Sequence, residues 1–234
     1  MYRESARYYD EIYSYKDYKK EAEKIHRIIR KYKTNLGNSL LDVACGTGNH
    51  IQYLKPYYHV EGLDINQEML AIARRKHPDI VFHKADMTNF NLGRQYDVIV
   101  CLFSAIGFAQ NVPKLRSTMR SIRKHLRPGG VVIVEPWFSP RMWNKGTIHA
   151  TFVDKPNLKI ARIATSAVHG KKSLNKMHHL VGTPKEIEYF IEDLEMGLFT
   201  KSEYLESFRK GGLSPHYDAK GLIGRGLYIG TRRK

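Results

Sequence analysis

A glycine-rich turn is the strongest sign of chemistry in this sequence. It lies in Leu40-Leu-Asp-Val-Ala-Cys-Gly-Thr-Gly-Asn49, between a β-rich run and a run with helical spacing. Gly46 and Gly48 lack a Cβ, so the backbone there can adopt conformations closed to other residues and can approach a ligand closely. A Gly-x-Gly pair alone is weak evidence, because any tight strand-to-helix turn can contain one. The residues that follow must decide what the turn does.

Two aspartates follow at the ends of the next two β-rich runs. Asp64 comes about twenty residues after the turn, where nucleotide-binding folds place the acidic residue that accepts hydrogen bonds from ribose hydroxyls. Asp86 and Met87 follow the third run, so a carboxylate and an apolar side chain can hold an adenine by its amino group and one ring face. Ile51 occupies the position of the third glycine of a dinucleotide site. The pattern predicts a nucleoside ligand and disfavours a dinucleotide.

Both aspartates also have structural interpretations that the sequence leaves open. Asp64 can serve as the N-cap of a helix that begins near Asn66, because aspartate caps helices well. Asp86 can be a turn carboxylate before Thr88. The register of both residues with the glycine turn favours the ligand interpretation.

The elements that must position these residues alternate between strands and helices. Short β-rich runs lie at 39–44, 59–63, 80–83, 96–103 and 131–134, and helical spacing covers 1–35, 49–55, 66–76 and 111–126. Pro128-Gly-Gly130 predicts a turn between the last of these helices and its strand. Parallel strands need crossovers that cover the sheet on both faces, so we predict a doubly wound, Rossmann-like α/β fold.

The alternation stops after Pro140. Residues 147–200 contain β-rich runs separated by turn signals, which favour an antiparallel meander. We predict that 141–195 form an inserted antiparallel β lid over the carboxyl ends of the sheet, while 1–140 and 196–234 form the cofactor-binding domain. A helix near 201–210 and a closing strand near 225–230 complete that domain.

Composition limits the classes of protein that fit. The chain of 234 residues carries 39 Lys and Arg against 23 Asp and Glu, a formal charge of +16, which suggests an anionic partner. Nucleic acid stays open but is not favoured, because the densest basic helix face, within 114–127, has no interleaved aromatic residues. The only two cysteines, Cys45 and Cys101, lie in apolar runs and read as free thiols. We expect a cytoplasmic protein that makes no use of a membrane or a metal and is a monomer or a homodimer.

The three strand ends together resemble the class I S-adenosylmethionine-dependent methyltransferases. The resemblance implies that Asp42, Gly46 and Gly48 surround the methionine part of the cofactor, that Asp64 binds ribose and that Asp86 binds adenine. Ala44 departs from the family, since many members have glycine there. The cofactor-binding residues that we expect are Tyr9, Tyr18, Asp42, Ala44, Gly46, Gly48, Asp64, Ile65, Met69, Asp86, Met87 and Leu102.

A closer resemblance spans nearly the whole chain. Leu41-Asp-Val-Ala-Cys-Gly-Thr-Gly48, with 9–10, 16–18, 68–74, 90–93, 128–137, 198–200 and 224–228, looks like the nucleotide-linked amino-sugar N,N-dimethyltransferases of macrolide deoxysugar pathways. The resemblance implies that a thymidine-diphosphate-linked 3-amino sugar is methylated on its amine and that S-adenosylmethionine becomes S-adenosylhomocysteine.

The same resemblance suggests the substrate end of the site. It implies an N-terminal tyrosine near the amine, here Tyr2, and a histidine after the fourth strand, where this chain has Phe108, which cannot accept a proton. Glu135 follows the fifth strand and is our second candidate catalytic residue, although a surface ion pair would also explain it. We expect substrate contacts from Ser104, Phe108, Trp137 and Arg225. Arg225 suits a diphosphate because a guanidinium can fork onto phosphate oxygens, and an exposed turn arginine is its alternative.

Two other functions remain open from the sequence. An RNA methyltransferase would use the basic surface, but 101–107 lack the Asn/Asp-Pro-Pro-aromatic signature associated with methylation of planar base amines. A catalytically silent domain that binds the cofactor or a partner protein would explain the missing histidine at Phe108.

Overall fold

The β-rich runs of the first 134 residues and the last strand-like run align in one seven-stranded sheet. The computed structural model describes residues 2–233. The strands are β1 (Ser39–Val43), β2 (His59–Asp64), β3 (Val81–Lys84), β4 (Tyr96–Cys101), β5 (Leu126–Val134), β10 (Ser214–Asp218) and β11 (Leu227–Thr231). Their order is β10-β11-β5-β4-β1-β2-β3, and β11 alone among these strands runs opposite to the rest. The chain order reverses between β1 and β4, which opens a crevice at their carboxyl ends.

Of the six α-helices among residues 2–233, all but the short first one cover the two faces of this sheet. They are α1 (Tyr9–Ile12), α2 (Tyr18–Tyr32), α3 (Ile51–Leu54), α4 (Gln67–Lys76), α5 (Val112–His125) and α6 (Lys201–Lys210). Apolar side chains of α2, α3 and α4 form the core on one face, and those of α5 and α6 form the core on the other. The prediction of a doubly wound α/β fold is confirmed.

Side chains at the helix starts fix where the helices begin. Asp17, Asn66 and Asn111 each accept a hydrogen bond from a backbone N–H three residues on, at 2.9 to 3.0 Å. Thr200 and Glu203 satisfy each other's backbone N–H groups at the start of α6. Asn66 therefore caps the helix that follows Asp64, which leaves the Asp64 carboxylate available for other groups.

A separate four-stranded antiparallel sheet follows the fifth strand. It consists of β6 (Ile148–Lys155), β7 (Leu158–His169), β8 (Lys172–Gly182) and β9 (Ile187–Gly197), paired in chain order. We call it the lid sheet. Its inner face packs against Tyr8 and Ile12 at one end and against Tyr2, Phe108 and Trp137 at the other. Its role as a substrate lid, and the domain boundaries at 141 and 195, stay predictions.

The outer face of the lid sheet exposes large apolar side chains. Phe152, Leu180 and Tyr189 lie along one cross-strand row and expose 72%, 50% and 61% of their surface. Ile163 and Ile191 flank His178 in the next row. An apolar patch of this size is unusual on a protein that acts alone.

None of the helices described is long and apolar enough to cross a membrane.

The structure differs from the sequence predictions at three places. The single helix expected over 1–35 breaks at Asp17, because the Asp17 carboxylate caps α2, and residues 5–12 form a 3-10 turn followed by α1. The expected turn at Pro128-Gly-Gly130 lies within β5, where Gly129 has a φ of +74°. Strand β10 was not predicted, since Ser214–Asp218 contains a proline and little apolar alternation.

Gly62, in the middle of β2, tests how tightly the sheet packs beside the glycine turn. A Cβ at this position would lie 2.6 Å from the Phe82 ring and 2.8 Å from Cys45 Sγ. We expect Gly62→Ala to lower the free energy of unfolding by about 1 to 3 kcal/mol, as overpacked cores do. Gly182→Ala is the matched control, because its nearest neighbour would lie at 3.8 Å, and it should be near neutral. Urea denaturation measures both variants, and equal stabilities would contradict this account of the packing.

Candidate active site

The glycine turn after β1 presents bare backbone to an open space. Ala44, Gly46 and Gly48 have φ values of +58°, +56° and +78°. A Cβ on Gly46 would meet no described atom within 4 Å, so this residue faces a void. Gly48 is enclosed instead, since a Cβ would lie 2.9 Å from the His77 ring. Ala44 takes a left-handed conformation that favours glycine.

Asp64 fastens the end of β2 to this turn. One oxygen of its carboxylate accepts a hydrogen bond from the Gly46 N–H at 2.8 Å, and the other accepts one from the Asn66 N–H at 2.8 Å. The residue is only 8% exposed, and burial raises the pKa of its carboxyl. Asp42 lies behind it at 2% exposure, and burial together with the charge of Asp64 raises the pKa of Asp42 to about 8. Two buried carboxyl groups therefore lie beside the turn, and neither forms an ion pair with another residue among 2–233.

A cavity of about 730 Å³ opens above the turn and extends to the lid sheet. Most of the predicted site residues line it: Tyr2, Tyr9, Tyr18, Asp42, Ala44, Gly46, Asp64, Ile65, Met69, Asp86, Met87, Leu102, Phe108, Trp137 and Arg225. Asp64 and Asp86 thus face one hollow, although Asp86 also accepts the Thr88 N–H at 2.8 Å as a turn carboxylate does. The volume is sufficient for a nucleoside together with a second small molecule.

Three predicted site residues do not line the cavity. Gly48 shapes the turn, as its contact with His77 shows. Glu135 is fully buried, and one of its oxygens accepts the Phe103 N–H at 2.6 Å. Ser104 is also buried, donates to the Pro136 carbonyl and accepts from Arg225 Nη2, both at 2.8 Å. Glu135 and Ser104 therefore lie behind the wall that we expected them to form.

Arg225 is the cavity residue that these two support. Its Nη2 lies 3.6 Å from the second Glu135 oxygen, and its guanidinium packs over the rings of Phe138 and Trp137 at 4.8 and 5.4 Å. Its side chain is mostly buried, and burial lowers its pKa from the usual arginine value. Within the described part of the chain Arg225 Nε has no hydrogen-bond partner. A buried guanidinium with a free donor suits an anion.

The segment from Tyr2 to Lys16, which we call the strap, closes the cavity from the side. Asp10 accepts hydrogen bonds from Thr47 Oγ1 at 2.5 Å and Asn49 Nδ2 at 2.9 Å in the glycine turn. On the other side, Glu192 of the lid sheet accepts the Arg3 N–H at 2.9 Å and also binds Ser5. The strap is thus held to both ligand-facing parts of the molecule.

Sequence reasoning missed several cavity residues. Tyr13 and Arg162 join the strap to β7, with Arg162 Nη1 donating to the Tyr13 hydroxyl at 2.9 Å. His50, next to the turn, lies 2.8 Å from the buried Glu21 carboxylate. The cluster of tyrosines at 8–18 was the one available signal, whereas Arg162 looks like any arginine on a strand. Among residues 2–233 no group of His, Cys, Asp or Glu could hold a metal ion.

Known proteins share this architecture. A sequence model described as a methyltransferase domain matches residues 40–130. The dTDP-3-amino-3,6-dideoxy-alpha-D-glucopyranose N,N-dimethyltransferase of Streptomyces fradiae is 37% identical over 92% of this chain and 85% of its own. The crystal structure of Streptomyces venezuelae DesVI is 35% identical, with a TM-score of 0.88 over 93% of this chain and 92% of that one.

A cofactor-bound relative extends the comparison. The S-adenosylmethionine-bound structure of CalS10, an amino pentose methyltransferase from Micromonospora echinaspora, is 34% identical, with a TM-score of 0.83 over 93% of this chain and 92% of that one. The predictions of an enzyme, of its cofactor and of its family are confirmed by these relatives. The chain belongs to the family of S-adenosylmethionine-dependent N-methyltransferases that includes the dTDP-amino-sugar N,N-dimethyltransferases.

Proposed function

We propose that this protein methylates the amine of a nucleotide-linked amino sugar with S-adenosylmethionine. The observation that carries the proposal is the open turn at Gly46 with Asp42, Asp64 and Asp86 on one cavity, which fits a cationic nucleoside cofactor. The sulfonium of that cofactor supplies an activated methyl group. The nucleotide-sugar acceptor is supported by what the relatives from two Streptomyces species are named to methylate.

Each cofactor residue receives a role from its place on the cavity. We assign Asp64 to the ribose hydroxyls, and Asp86 with Met87 to the adenine. Asp42 lies beside the turn and would attract the ammonium group of the methionine part, which would favour the ionised carboxylate. The remaining cofactor contacts come from Tyr9, Tyr18, Ala44, Gly46, Ile65, Met69 and Leu102, with Gly48 acting through the shape of the turn.

The acceptor end is built around Arg225 and the aromatic wall. We propose that Arg225 binds the diphosphate of the nucleotide sugar while Phe108 and Trp137 contact the sugar. Glu135 and Ser104 then act as positioning residues, because they hold Arg225 and the Phe103 backbone without facing the cavity. We accordingly assign Glu135 a structural contact with Arg225 in place of the catalytic role that its position after β5 suggested.

The reaction needs alignment more than acid or base chemistry. The lone pair of a neutral amine forms the new bond to the methyl carbon as the carbon–sulfur bond breaks, the sulfur keeps that electron pair, and the ammonium then loses a proton to water. Burial raises the pKa of Tyr2 well above the usual value, so its phenol stays protonated at neutral pH. Tyr2 can orient the amine through a hydrogen bond but cannot remove its proton.

We also propose that two copies pair through the outer face of the lid sheet. Four strands of about ten residues cover roughly 600 Å² per copy, so two copies bury about the 1,200 Å² of a stable interface. On the outer face β9 carries Asp193 and Glu195, while β8 carries Lys176 and His178, so a two-fold axis can set opposite charges against each other. The unpaired thiols of Cys45 and Cys101 support a cytoplasmic location.

Asp64 offers the first test of the cofactor assignment. Asp64→Asn keeps the shape of the side chain but removes its negative charge. It also replaces one carboxylate oxygen that accepts hydrogen bonds with an NH2 group that cannot. We expect the affinity for S-adenosylmethionine and S-adenosylhomocysteine to fall about 10- to 100-fold, as for lost hydrogen bonds to a charged group. Isothermal titration calorimetry measures this, and Asp79→Asn, an exposed aspartate paired with Lys55, is the control. Unchanged binding by Asp64→Asn would overturn the assignment.

Asp42 predicts a dependence of stability on pH. Its pKa of about 8 in the folded chain exceeds the value of about 3.9 in an unfolded one, so between these values the native state holds an extra proton. The contribution of Asp42 therefore lowers the free energy of unfolding as pH rises from about 4 to about 8. Above pH 8 this contribution stays constant. The melting temperature of cofactor-free Asp42→Asn, relative to that of the parent, should rise by several degrees across that range. Above pH 8 the difference should stay constant. Calorimetric scans that show a pH-independent difference would contradict the burial effect.

The lid face predicts the assembly state. Phe152→Asp places a charge at the most exposed ring of the apolar row, so we expect a dimer of the parent protein to become a monomer. Sedimentation velocity distinguishes the two. Tyr57→Asp alters an exposed ring that stacks on His26 outside the lid sheet, and it should leave the dimer intact. A parent protein that sediments as a monomer would refute the pairing.

A further inference from the structure

The cavity has an unusually aromatic wall. Nine aromatic side chains line it: Tyr2, Tyr9, Tyr13, Tyr15, Tyr18, Phe103, Phe108, Trp137 and Phe138. Aromatic residues make up 11% of the sequence, so they are strongly concentrated at this one place. Ring faces carry negative partial charge, and such a wall therefore attracts cations.

Several of these rings already hold a cation of the chain itself. Lys16 Nζ lies 4.5 Å from the centre of the Phe103 ring, and the Arg162 guanidinium lies 5.0 Å from that of Tyr13. Arg225 covers Phe138 at 4.8 Å and also Trp137. These contacts show that the wall binds positive charge in the folded protein.

Three neighbouring rings are left without such a cation among the residues described. The Tyr2 ring stands nearly perpendicular to the Tyr9 ring at 88° and to the Phe108 ring at 87°, with centroid distances of 5.4 and 6.4 Å. Perpendicular rings form adjacent walls of a box, which is the arrangement that recognises methylated ammonium groups. We call Tyr2, Tyr9 and Phe108 the aromatic corner.

The corner is neutral as well as aromatic. Burial raises the pKa of Tyr9, like that of Tyr2, well above the usual tyrosine value, so both rings keep their protons at neutral pH. Phe108 contributes a ring where a histidine could become cationic and repel a positive ligand. On its other side Phe108 packs on Met177, Leu194 and Met196 of the lid sheet, which exclude water.

We propose that the aromatic corner binds the methylated ammonium group that forms on the acceptor. The inference rests on the proposed function and deepens it. As the methyl carbon leaves sulfur, positive charge moves onto the amine nitrogen, and rings around that nitrogen stabilise the charge as it develops. After the first transfer the secondary ammonium gives its proton to water, and a second S-adenosylmethionine replaces the spent cofactor. The amine lone pair then attacks the methyl group of this second molecule, whose sulfur keeps the electron pair of the broken bond. A site that prefers the more methylated cation therefore favours the second transfer over release.

A cation and its uncharged isostere test this directly. Choline and 3,3-dimethylbutan-1-ol have the same shape, but only choline is charged, so a cation–π site separates them and a merely apolar pocket does not. With the protein saturated with S-adenosylhomocysteine, we expect choline to bind about 3- to 30-fold more tightly, as the energies of such contacts imply. Calorimetry or ligand-observed NMR measures both affinities.

Variants assign the effect to the corner. Phe108→Leu should remove most of the preference for choline, and Phe108→Tyr should keep it because the ring remains. Tyr57→Leu removes an exposed ring that stacks on His26 outside the cavity and should have no effect. If Phe108→Leu no longer binds S-adenosylhomocysteine, the affinities of the parent protein for choline and for 3,3-dimethylbutan-1-ol decide whether the corner binds cations.

The outcomes separate this inference from the function on which it rests. Equal affinities for the two ligands, no choline binding, or an unchanged preference in Phe108→Leu would overturn the aromatic corner while leaving cofactor binding and methyl transfer intact. Loss of S-adenosylhomocysteine binding by the parent protein would instead overturn the proposed function.

Discussion

The carboxylate of Asp64 is the contact on which the site depends. By accepting the Gly46 and Asn66 N–H groups at 2.8 Å each, it joins the end of β2 to the turn after β1. Without an acceptor there, the turn would leave a backbone donor unpaired in a largely buried place, which is costly. The same carboxylate faces the cavity, so one side chain both builds the turn and presents a negative group beside it. Shape and charge at the nucleoside end therefore cannot be varied separately.

The two ends of the cavity have opposite electrostatic character. At the turn, burial raises the pKa values of Asp42 and Asp64, so a bound cation would stabilise their ionised forms. At the acceptor end, Arg225 is buried with Glu135 and two aromatic rings and retains a free donor for an anion. The aromatic wall also lines the cavity and can bind a cation without an anionic partner, since the electron-rich ring faces attract positive charge. Under the proposed function, the charges of the methyl donor and of a diphosphate-linked acceptor would be bound at separate places.

Much of the fold and the cofactor end followed from the sequence, and most of the acceptor end did not. Gly46, Asp64 and Asp86 could be placed together because parallel strands bring their carboxyl ends to one edge. The contacts among Ser104, Glu135 and Arg225 could not, because three segments far apart in the chain meet only through tertiary packing. Glu135 illustrates the limit, since its position after β5 was correct while its side chain turns away from the cavity. Strand periodicity likewise gave the lid sheet but not which arginine on it reaches the strap.

The strap links two parts of the molecule, the glycine turn and the lid sheet. Asp10 holds the glycine turn and Glu192 holds Arg3 and Ser5, so the same short stretch is anchored to the nucleoside end and to the lid sheet. Displacing it from either anchor weakens its hold on the other, because only a few residues separate them. The positions of the glycine turn and of the lid sheet are therefore coupled through one short segment, so a displacement of either is transmitted to the other.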